Sequence, residues 1–575
     1  MTRPLPKVPA ADTAGRPGPT EGAAGAARWR HRRSGRLAVL GGTLTLLAVC
    51  LGFLLHSPTL IGPDEPFHFD RVVAAAHGDL ALNPGNLHRS TGVRGAEAEY
   101  AKTQMKRNSP SWADYVATPR GDRPSLNDLG GNARDPQDAT NYLTQHPPLY
   151  YAVLGGVMWL MPGADDLPVD QLVFWLRAAN LLLILPLPWL FHRAARTIFS
   201  GRAGKLAFAP AAVAAAPFLP ALIPGLPRLV ATITNDALAI SIGTAILALA
   251  LGVMRGDRSV RTAVQLSVLA IAAALTKVTV ILVAAAIPVA YLYQWLRWRR
   301  WPRPAVAAAL VTGAALTAAW PIRNLIQFGA VLPAEQAWGS RFARVTGDLR
   351  TAANPMDSAK YWQTLGDTLA SRFWGSLGLH EPPQLPGGLL WVMTLIALAS
   401  VVVSVWVVPG RRLMIVLPWL LGVGMIVAVL YNAYAQYSKY TALTGIQGRY
   451  AYPAMLGLLL PIAIAAAFGL GRFRRWTATV LCLYGLLVCG WALWISAGYT
   501  WLPRGQNLTF GTLASAAQTF NRHFAFAPSF TVVVGLVALL AAGGAIASTV
   551  ALARSDLPRS MPVSASVPAG SDRTF

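Results

Sequence analysis

The sequence predicts an all-α polytopic integral membrane protein with about twelve transmembrane helices, and three observations support this. Of its 575 residues, 54% are hydrophobic and only 13% are charged, a balance that excludes a disordered chain and an ordinary soluble enzyme. Apolar runs such as 37–55 and 531–553 are long enough to cross about 30 Å of hydrocarbon as helices. The formal net charge of +24 lies largely in short basic clusters between such runs, where it acts as a topology signal. Nucleic acid is therefore not expected as a partner, and membrane lipids are.

Composition and apolar length divide the chain into three parts. Residues 1–36 predict a disordered, basic cytoplasmic tail, residues 37–553 the transmembrane domain, and residues 554–575 a second disordered cytoplasmic tail. The predicted spans are 37–55, 172–191, 206–222, 233–253, 262–276, 278–296, 305–322, 388–408, 413–431, 450–470, 477–497 and 530–553.

A further apolar segment, 149–161, is predicted to lie on the outer surface and not to cross. If it crossed, the basic clusters after it would move to the other side of the membrane. Without that crossing, all seven basic segments face inward and carry 27 basic and 5 acidic residues, against 22 basic and 20 acidic elsewhere. This asymmetry is a strong positive-inside signal and places both termini in the cytoplasm. At about 13 residues the segment is also short for a span.

Four loops then face outward, at 56–171, 323–387, 432–449 and 498–529. The first is far longer than a usual connection, so we expect it to be folded or functional, with surface helices of its own.

Polar and ionisable residues gather at the outer ends of the predicted spans. Such residues are costly at membrane depth and mainly occur where they line a cavity or a substrate path. The set comprises Asp64, Glu65, His68, His146, Tyr150, Asn235, Asp236, Lys277, Arg323, Asn324, Gln447, Arg449 and Tyr450.

Each of these residues also has a structural interpretation. Asp64 or Glu65 can cap the helix that Pro66 is suited to begin, and Lys277 and Arg323 can extend to the lipid headgroups. Arg449 can be a structural arginine. The joint pattern, an acidic first loop opposite several cations at the same boundary, favours a site.

The charges indicate what such a site could do. A carboxylate at the membrane surface can take a proton from a hydroxyl nucleophile, and Lys or Arg can hold a phosphate and stabilise it as a leaving group. Sugar transfer from a lipid phosphate fits both roles. The sequence has no Gly-rich phosphate loop, so a nucleotide is not expected.

Two motifs resemble a known superfamily. The acidic PDEPFHF after the first span, and HPPLYY at the start of the surface helix, resemble the GT-C superfamily of polyprenol-phosphate-sugar glycosyltransferases. More narrowly, TNDALA, WPIRNLIQFGA, RFWGSLG and GIQGRYAYP resemble a bacterial family of predicted membrane proteins of unknown function, over about residues 37–500.

The resemblance implies a GT-C-like fold and a set of roles. Asp64 or Glu65, with His68 nearby, matches the catalytic acidic motif, while Lys277, Arg323 and Arg449 are the candidate donor-phosphate ligands by position. The donor would be a polyprenyl-phosphate-linked sugar, the acceptor an envelope glycan, lipid or protein, and the place the outer face of the bacterial inner membrane. Many relatives bind a divalent metal ion and others work without one, so the metal stays open.

A different class of function is also compatible with the sequence. A transporter or flippase of lipid-linked glycans would favour polar residues near the midplane of the membrane, often in repeated halves. The polar set here is one-sided and the outer loops are long, which favours the transferase. A structural partner of an envelope-polysaccharide complex is a third possibility.

Overall fold

The computed structural model describes residues 21–80, 82–100, 111–201, 205–377 and 384–555. Within these residues the chain is helical, and extended pairing is limited to isolated bridges. The α-helices, in chain order, are α1 Glu21–His56, α2 Glu65–Ala76, α3 Thr91–Tyr100, α4 Leu149–Trp159, α5 Val169–Leu182, α6 Leu187–Ile198, α7 Ala209–Ala215, α8 Gly225–Val230, α9 Asp236–Met254, α10 Val260–Thr276, α11 Ile281–Ala284, α12 Ala286–Trp298, α13 Pro304–Phe328, α14 Ala334–Trp338, α15 Ser340–Thr346, α16 Ser358–Trp374, α17 Gly387–Val407, α18 Arg412–Lys439, α19 Met455–Gly469, α20 Thr477–Trp501, α21 Leu513–His523 and α22 Pro528–Arg554. Short 3-10 helices that matter below are Trp112–Asp114, Tyr142–Gln145, Ala216–Leu222 and Gly448–Ala454.

Ten of the described helical segments are long and apolar enough to cross a membrane, and they coincide with ten of the twelve predicted spans. The other two predicted spans fall on the shorter apolar helices Ala209–Leu222 and Val260–Thr276. The first helix begins at Glu21, so residues 21–36 of the predicted tail are helical. Residues 1–20 and 556–575, the remainder of both predicted tails apart from Ser555, lie outside the described residues.

Helix α10 crosses the same thickness as its neighbour α9. The Lys277 ammonium, directly after α10, lies 2.5 Å from a carboxylate oxygen of Asp236, the first residue of α9. At the opposite end, the Thr262 hydroxyl in the first turn of α10 donates to the Asp257 carboxylate, three residues after the end of α9. Since α10 has 17 residues and α9 has 19, at about 1.5 Å per residue they are nearly equal in length. Therefore α10 spans wherever α9 does.

The segment 206–230 also runs from one end of the bundle to the other. It follows Ser200, whose hydroxyl accepts from Arg255 at the end of α9. At the opposite end of the bundle, the segment ends near Val230 and Thr232. The carbonyl oxygens of both residues accept from the Asn180 side-chain amide. The crossing is a broken helix because the proline residues at 210, 217, 220, 224 and 227 interrupt the α-helical hydrogen bonds.

These contacts define two ends of the bundle. We call the end with Ser200 and Arg255 the basic end, because the predicted inward clusters lie there, and the end with Thr232, Asp236 and Lys277 the loop end. The first loop is folded on the loop end, as its length predicts. Its helices α2 and α4 pack against each other so closely that a Cβ added at Gly155 would lie 2.7 Å from that of Ala75.

The predicted surface helix forms as α4 and leaves an apolar tip uncovered. Trp159 is 73% exposed and Leu160 is 71% exposed, while Leu154 and Met158 are buried in the core of the first loop. A helix with an apolar tip beside the bundle suits the membrane surface.

Which end faces outward can be tested with single cysteines. All three native cysteines are buried and can be replaced. We expect a membrane-impermeant thiol reagent added to intact cells to label Asp166→Cys and Asp348→Cys at the loop end, and to leave Arg300→Cys at the basic end unlabelled until the cells are opened. Labelling of Arg300→Cys from outside would reverse the predicted topology.

Candidate active site

Glu65 is the most completely bonded residue of the acidic motif. Its buried carboxylate accepts from the Arg177 guanidinium at 2.7 and 2.6 Å and from the backbone amides of Gly62 at 2.8 Å and Ile233 at 2.9 Å. These four bonds fasten the start of α2 to α5 and to the turn before α9. A carboxylate so engaged holds the site together and has little capacity left for substrate.

Asp64, the neighbour of Glu65, has the opposite environment. Its backbone lies in the left-handed region at φ 57°, ψ 15°, and its side chain makes no capping bond to α2. The side chain is 43% exposed and lies 3.6 Å from the Arg449 guanidinium, and it accepts from the Tyr142 hydroxyl at 2.5 Å. A left-handed non-glycine residue costs roughly 1–2 kcal/mol, and such strain is often kept where a side chain must be aimed at a functional site.

Arg449 joins this carboxylate to a second acidic group. Its Nε lies 4.0 Å from the Asp236 carboxylate, which also pairs with Lys277 at 2.5 Å. The Lys277 ammonium lies 4.7 Å from the centre of the Tyr450 ring. Two cations and two carboxylates, contributed by four separate parts of the sequence, therefore form one charge cluster at the loop end.

Two histidines border the cluster and are neutral. His68 hydrogen-bonds the Tyr151 hydroxyl at 3.0 Å, and its ring stacks on that of His146 with centroids 6.5 Å apart. Burial lowers the pKa of His68, and it lowers the pKa of His146 to about 3. At neutral pH both rings can exchange hydrogen bonds, but neither adds positive charge for a phosphate.

Arg71, which the sequence pattern did not single out, faces the Tyr151 side chain that hydrogen-bonds His68. It is 2% exposed, its guanidinium lies 4.5 Å from the centre of the Tyr151 ring, and its Nε and one terminal nitrogen have no hydrogen-bond partner among the described residues. The only feature of the sequence that could have indicated Arg71 as a site residue was its place in PDEPFHFDR, six residues after Glu65.

Other buried nitrogen atoms of the cluster lack partners in the same way. An unpaired buried polar group is costly and calls for an explanation such as a bound ion or ordered water. Because most of them are donors, an anion with several acceptor oxygens would satisfy them. These atoms are His146 Nδ1, Asn235 Nδ2 and Arg449 Nε.

Several predicted site residues have their partners elsewhere. Arg323 donates to the side-chain oxygen of Asn83 at 2.5 Å and to that of Asn324 at 3.1 Å, which ties α13 to the first loop. Tyr150 donates to Asn180 at 3.0 Å inside the first-loop core. Gln447 precedes the 3-10 helix Gly448–Ala454. Of these residues, Tyr150 still borders the cluster, because its ring meets that of His68 edge to face with centroids 6.3 Å apart.

The second long loop contributes residues that sequence reasoning missed. The Trp338 ring stacks on Tyr142 with centroids 4.0 Å apart, and the Arg341 guanidinium lies 5.0 Å from the centre of the Tyr142 ring. Since Tyr142 bonds Asp64, helices α14 and α15 cover the acidic motif. No motif in this stretch indicated such a contact.

The residues present do not fit a divalent-metal centre. Among the described residues, no group of three or more His, Cys, Asp or Glu side chains could hold a metal ion. Asp64 and Asp236, the carboxylates of the cluster, are already paired with Arg449 and Lys277. Cationic side chains therefore stand where a metal ion bound by these carboxylates would lie.

The role of Glu65 can be tested by stability. Glu65→Gln leaves the buried Arg177 without a counter-charge, and breaking such a pair costs about 3–5 kcal/mol. We expect a clear fall in the thermal unfolding midpoint of the purified protein, whereas the same change at the exposed Glu335 should leave the midpoint unchanged. An unaltered midpoint in Glu65→Gln would contradict the structural role.

Comparison with known proteins assigns the chain to a family. No curated protein matches it. Solved structures of ArnT from Cupriavidus metallidurans, in the apo state and bound to undecaprenyl phosphate, are each 15% identical over 89% of this chain and 75% of theirs, with TM-scores of 0.41 and 0.39. Residues 47–458 match the family described as "Predicted membrane protein (DUF2142)". Because that match covers more than half of the sequence, the chain belongs to this family of multi-pass membrane proteins.

Proposed function

We propose that the protein is a membrane glycosyltransferase that moves a sugar from a polyprenyl-phosphate donor to a cell-envelope glycan, lipid or protein at the outer face of the bacterial inner membrane. The observation that carries the proposal is the contrast within the acidic pair. Glu65 is buried and saturated by four donors, while Asp64 is partly exposed beside Arg449. One carboxylate is thus used for structure and the other is available for chemistry.

In the proposed reaction Asp64 is the general base. It accepts the proton of an acceptor hydroxyl as that oxygen attacks the anomeric carbon of the sugar. The bond between this carbon and the phosphate oxygen breaks, its electron pair leaves with the polyprenyl phosphate, and the new glycosidic bond forms with inversion. A positioned base of this kind typically contributes 10²–10⁴ in rate.

Arg449 and Lys277 are the proposed phosphate ligands. The leaving phosphate gains negative charge in the transition state, and preorganised cations in a partly dry site stabilise that charge. Lys277 uses one of its three N–H donors on Asp236, and Arg449 Nε has no hydrogen-bond partner among the described residues, so both have donors to offer. Arg323, which is bonded to Asn83 and Asn324, is the weakest of the three predicted ligands.

Tyr142 is the proposed positioning residue for the base. Its hydroxyl donates to Asp64 Oδ1, and its ring lies under Trp338. Burial raises the pKa of Tyr142 well above its usual value, so the hydroxyl remains a donor through the physiological range.

A transporter or flippase of lipid-linked glycans is the second candidate. The observation in its favour is the broken crossing at Ala209–Val230, which contains the 3-10 helix Ala216–Leu222, because transporters often use discontinuous helices. The charge cluster, however, joins residues at the ends of their helices, which is where a surface reaction needs them.

The first test asks whether Asp64, which makes no side-chain capping bond to α2, acts as a base. Asn serves as an N-cap about as well as Asp but cannot take a proton, so we expect Asp64→Asn to keep the normal amount of folded protein and to lose 10²–10⁴ in transfer rate. The assay incubates purified protein with radiolabelled polyprenyl-phosphate sugars and membrane extract. Asp348→Asn, an exposed carboxylate of the second loop, is the matched control. Full activity in Asp64→Asn would remove Asp64 from the mechanism and favour the transporter.

The second test concerns the phosphate. Replacing Arg449 or Lys277 with Gln removes a charge-assisted hydrogen bond worth about 1.5–3 kcal/mol, or roughly ten- to a hundredfold in donor affinity. Direct binding of a polyprenyl-phosphate sugar to purified variants measures it, with Lys360→Gln, an exposed lysine of α16, as control. Affinities equal to that of the parent in both variants would exclude them as phosphate ligands.

A further inference from the structure

A second cleft opens at the loop end, beside Pro58, whose carbonyl oxygen accepts from Arg177. Aromatic side chains from three separate parts of the chain meet in it: Tyr100, Trp112 and Tyr115 of the first loop, Trp501 at the end of α20, and His523 of α21. The Trp112 ring centroid lies 5.0 Å from that of His523 and 6.3 Å from that of Trp501. Nothing in the proposed transfer chemistry uses these rings.

The cleft contains one buried polar group without a partner. Tyr100 is only 8% exposed, and its hydroxyl has no hydrogen-bond partner among the described residues. A tyrosine buried in this way normally finds a partner for its hydroxyl. A ligand in the cleft would supply one.

Two charged residues line the cleft, Arg123 and Glu99, and both bond other parts of the protein. The Glu99 carboxylate accepts from the Thr118 hydroxyl. Arg123 pairs with Asp170 at 2.5 Å and donates to the carbonyl oxygens of Thr118, Arg522 and Phe524. Its guanidinium therefore has little left for a phosphate or a carboxylate. An anion in the cleft would face the Glu99 carboxylate and a cation would face the Arg123 guanidinium. The aromatic rings and hydrogen-bonding groups therefore suit a neutral ligand with an apolar face and polar edges.

The cleft is close to the proposed base. Ile61 packs against the hydrophobic cluster that contains Trp112 and Trp501, and it precedes Asp64 by three residues. Since an extended chain spans at most about 3.6 Å per residue, the Cα atoms of Ile61 and Asp64 are within about 11 Å of each other. A chain of a few sugar units bound in the cleft could place its terminal hydroxyl near Asp64.

We infer that the cleft formed by Tyr100, Trp112, Tyr115 and Trp501 is a binding site for a neutral saccharide chain, which serves as the acceptor. Aromatic rings cover the C–H face of a sugar ring, and the Tyr100 hydroxyl bonds one of its hydroxyl groups. The acceptor role of the saccharide rests on the proposed function. The binding of a saccharide rests on the cleft alone.

The test uses the full chain in lipid nanodiscs, because the sugar headgroups of maltoside detergents would compete for the cleft. Neutral trisaccharides of glucose, galactose, mannose and arabinose are the probes, and saturation-transfer NMR measures their binding. We expect at least one to bind saturably, Tyr100→Phe to weaken it about two- to tenfold, the effect of one neutral hydrogen bond, and Tyr115→Ala to weaken it about tenfold. Phe510→Ala, an exposed ring at the loop end outside the cleft, is the control and should bind as the parent does.

Binding of no probe, or binding that neither tyrosine variant changes, would overturn the inference. Asp64→Asn separates it from the proposed function. Normal saccharide binding in Asp64→Asn together with lost transfer supports both, whereas retained transfer in that variant with tyrosine-dependent binding overturns the base and leaves the saccharide site standing.

Discussion

The buried ion pair between Glu65 and Arg177 is the constraint on which the loop end depends. A carboxylate taken out of water must be paired and hydrogen-bonded, and Glu65 meets that requirement only when Gly62, Arg177 and Ile233 come together around it. This fixes the entry into α2 relative to α5 and α9. Asp64 is then left on a strained backbone with its side chain outside the helix, so the position of the proposed base follows from the packing of its buried neighbour.

Interrupted helices place the cations opposite these acids. Lys277 has an extended backbone where α10 ends, and Arg449 lies in the 3-10 helix before α19. The latter turn is possible because residue 448 is glycine, since a Cβ there would lie 2.5 Å from the backbone nitrogen of Phe373. Both charges therefore stand at the ends of crossings, where a cation can stay near water and headgroups at less cost than at the membrane midplane.

The sequence predicted well what depends on composition and poorly what depends on tertiary contact. Apolar length identified the spans. They include 206–222 and 262–276, whose helices are shorter than a standard crossing but whose contacts with neighbouring helices show that they run between the two ends of the bundle. The acidic motif and the cations Lys277 and Arg449 were identified because polar residues at span ends are unusual. The saturation of Glu65, the burial of Arg71 and the cover by Trp338 and Arg341 were not predictable, because each depends on residues tens to hundreds of positions away along the chain.

The charge balance of the cluster links substrate binding to the base. Asp64, Asp236, Lys277 and Arg449 sum to zero, and Arg449 lies between the two carboxylates at 3.6 and 4.0 Å. In the proposed reaction a donor phosphate adds a negative charge and competes with Asp64 for the same guanidinium. In that reaction, donor binding would release the Asp64 carboxylate from its ion pair with Arg449 at the moment when an acceptor hydroxyl must be deprotonated. Under the proposed function, the arginine shared by the two carboxylates therefore couples donor binding to the freeing of the base.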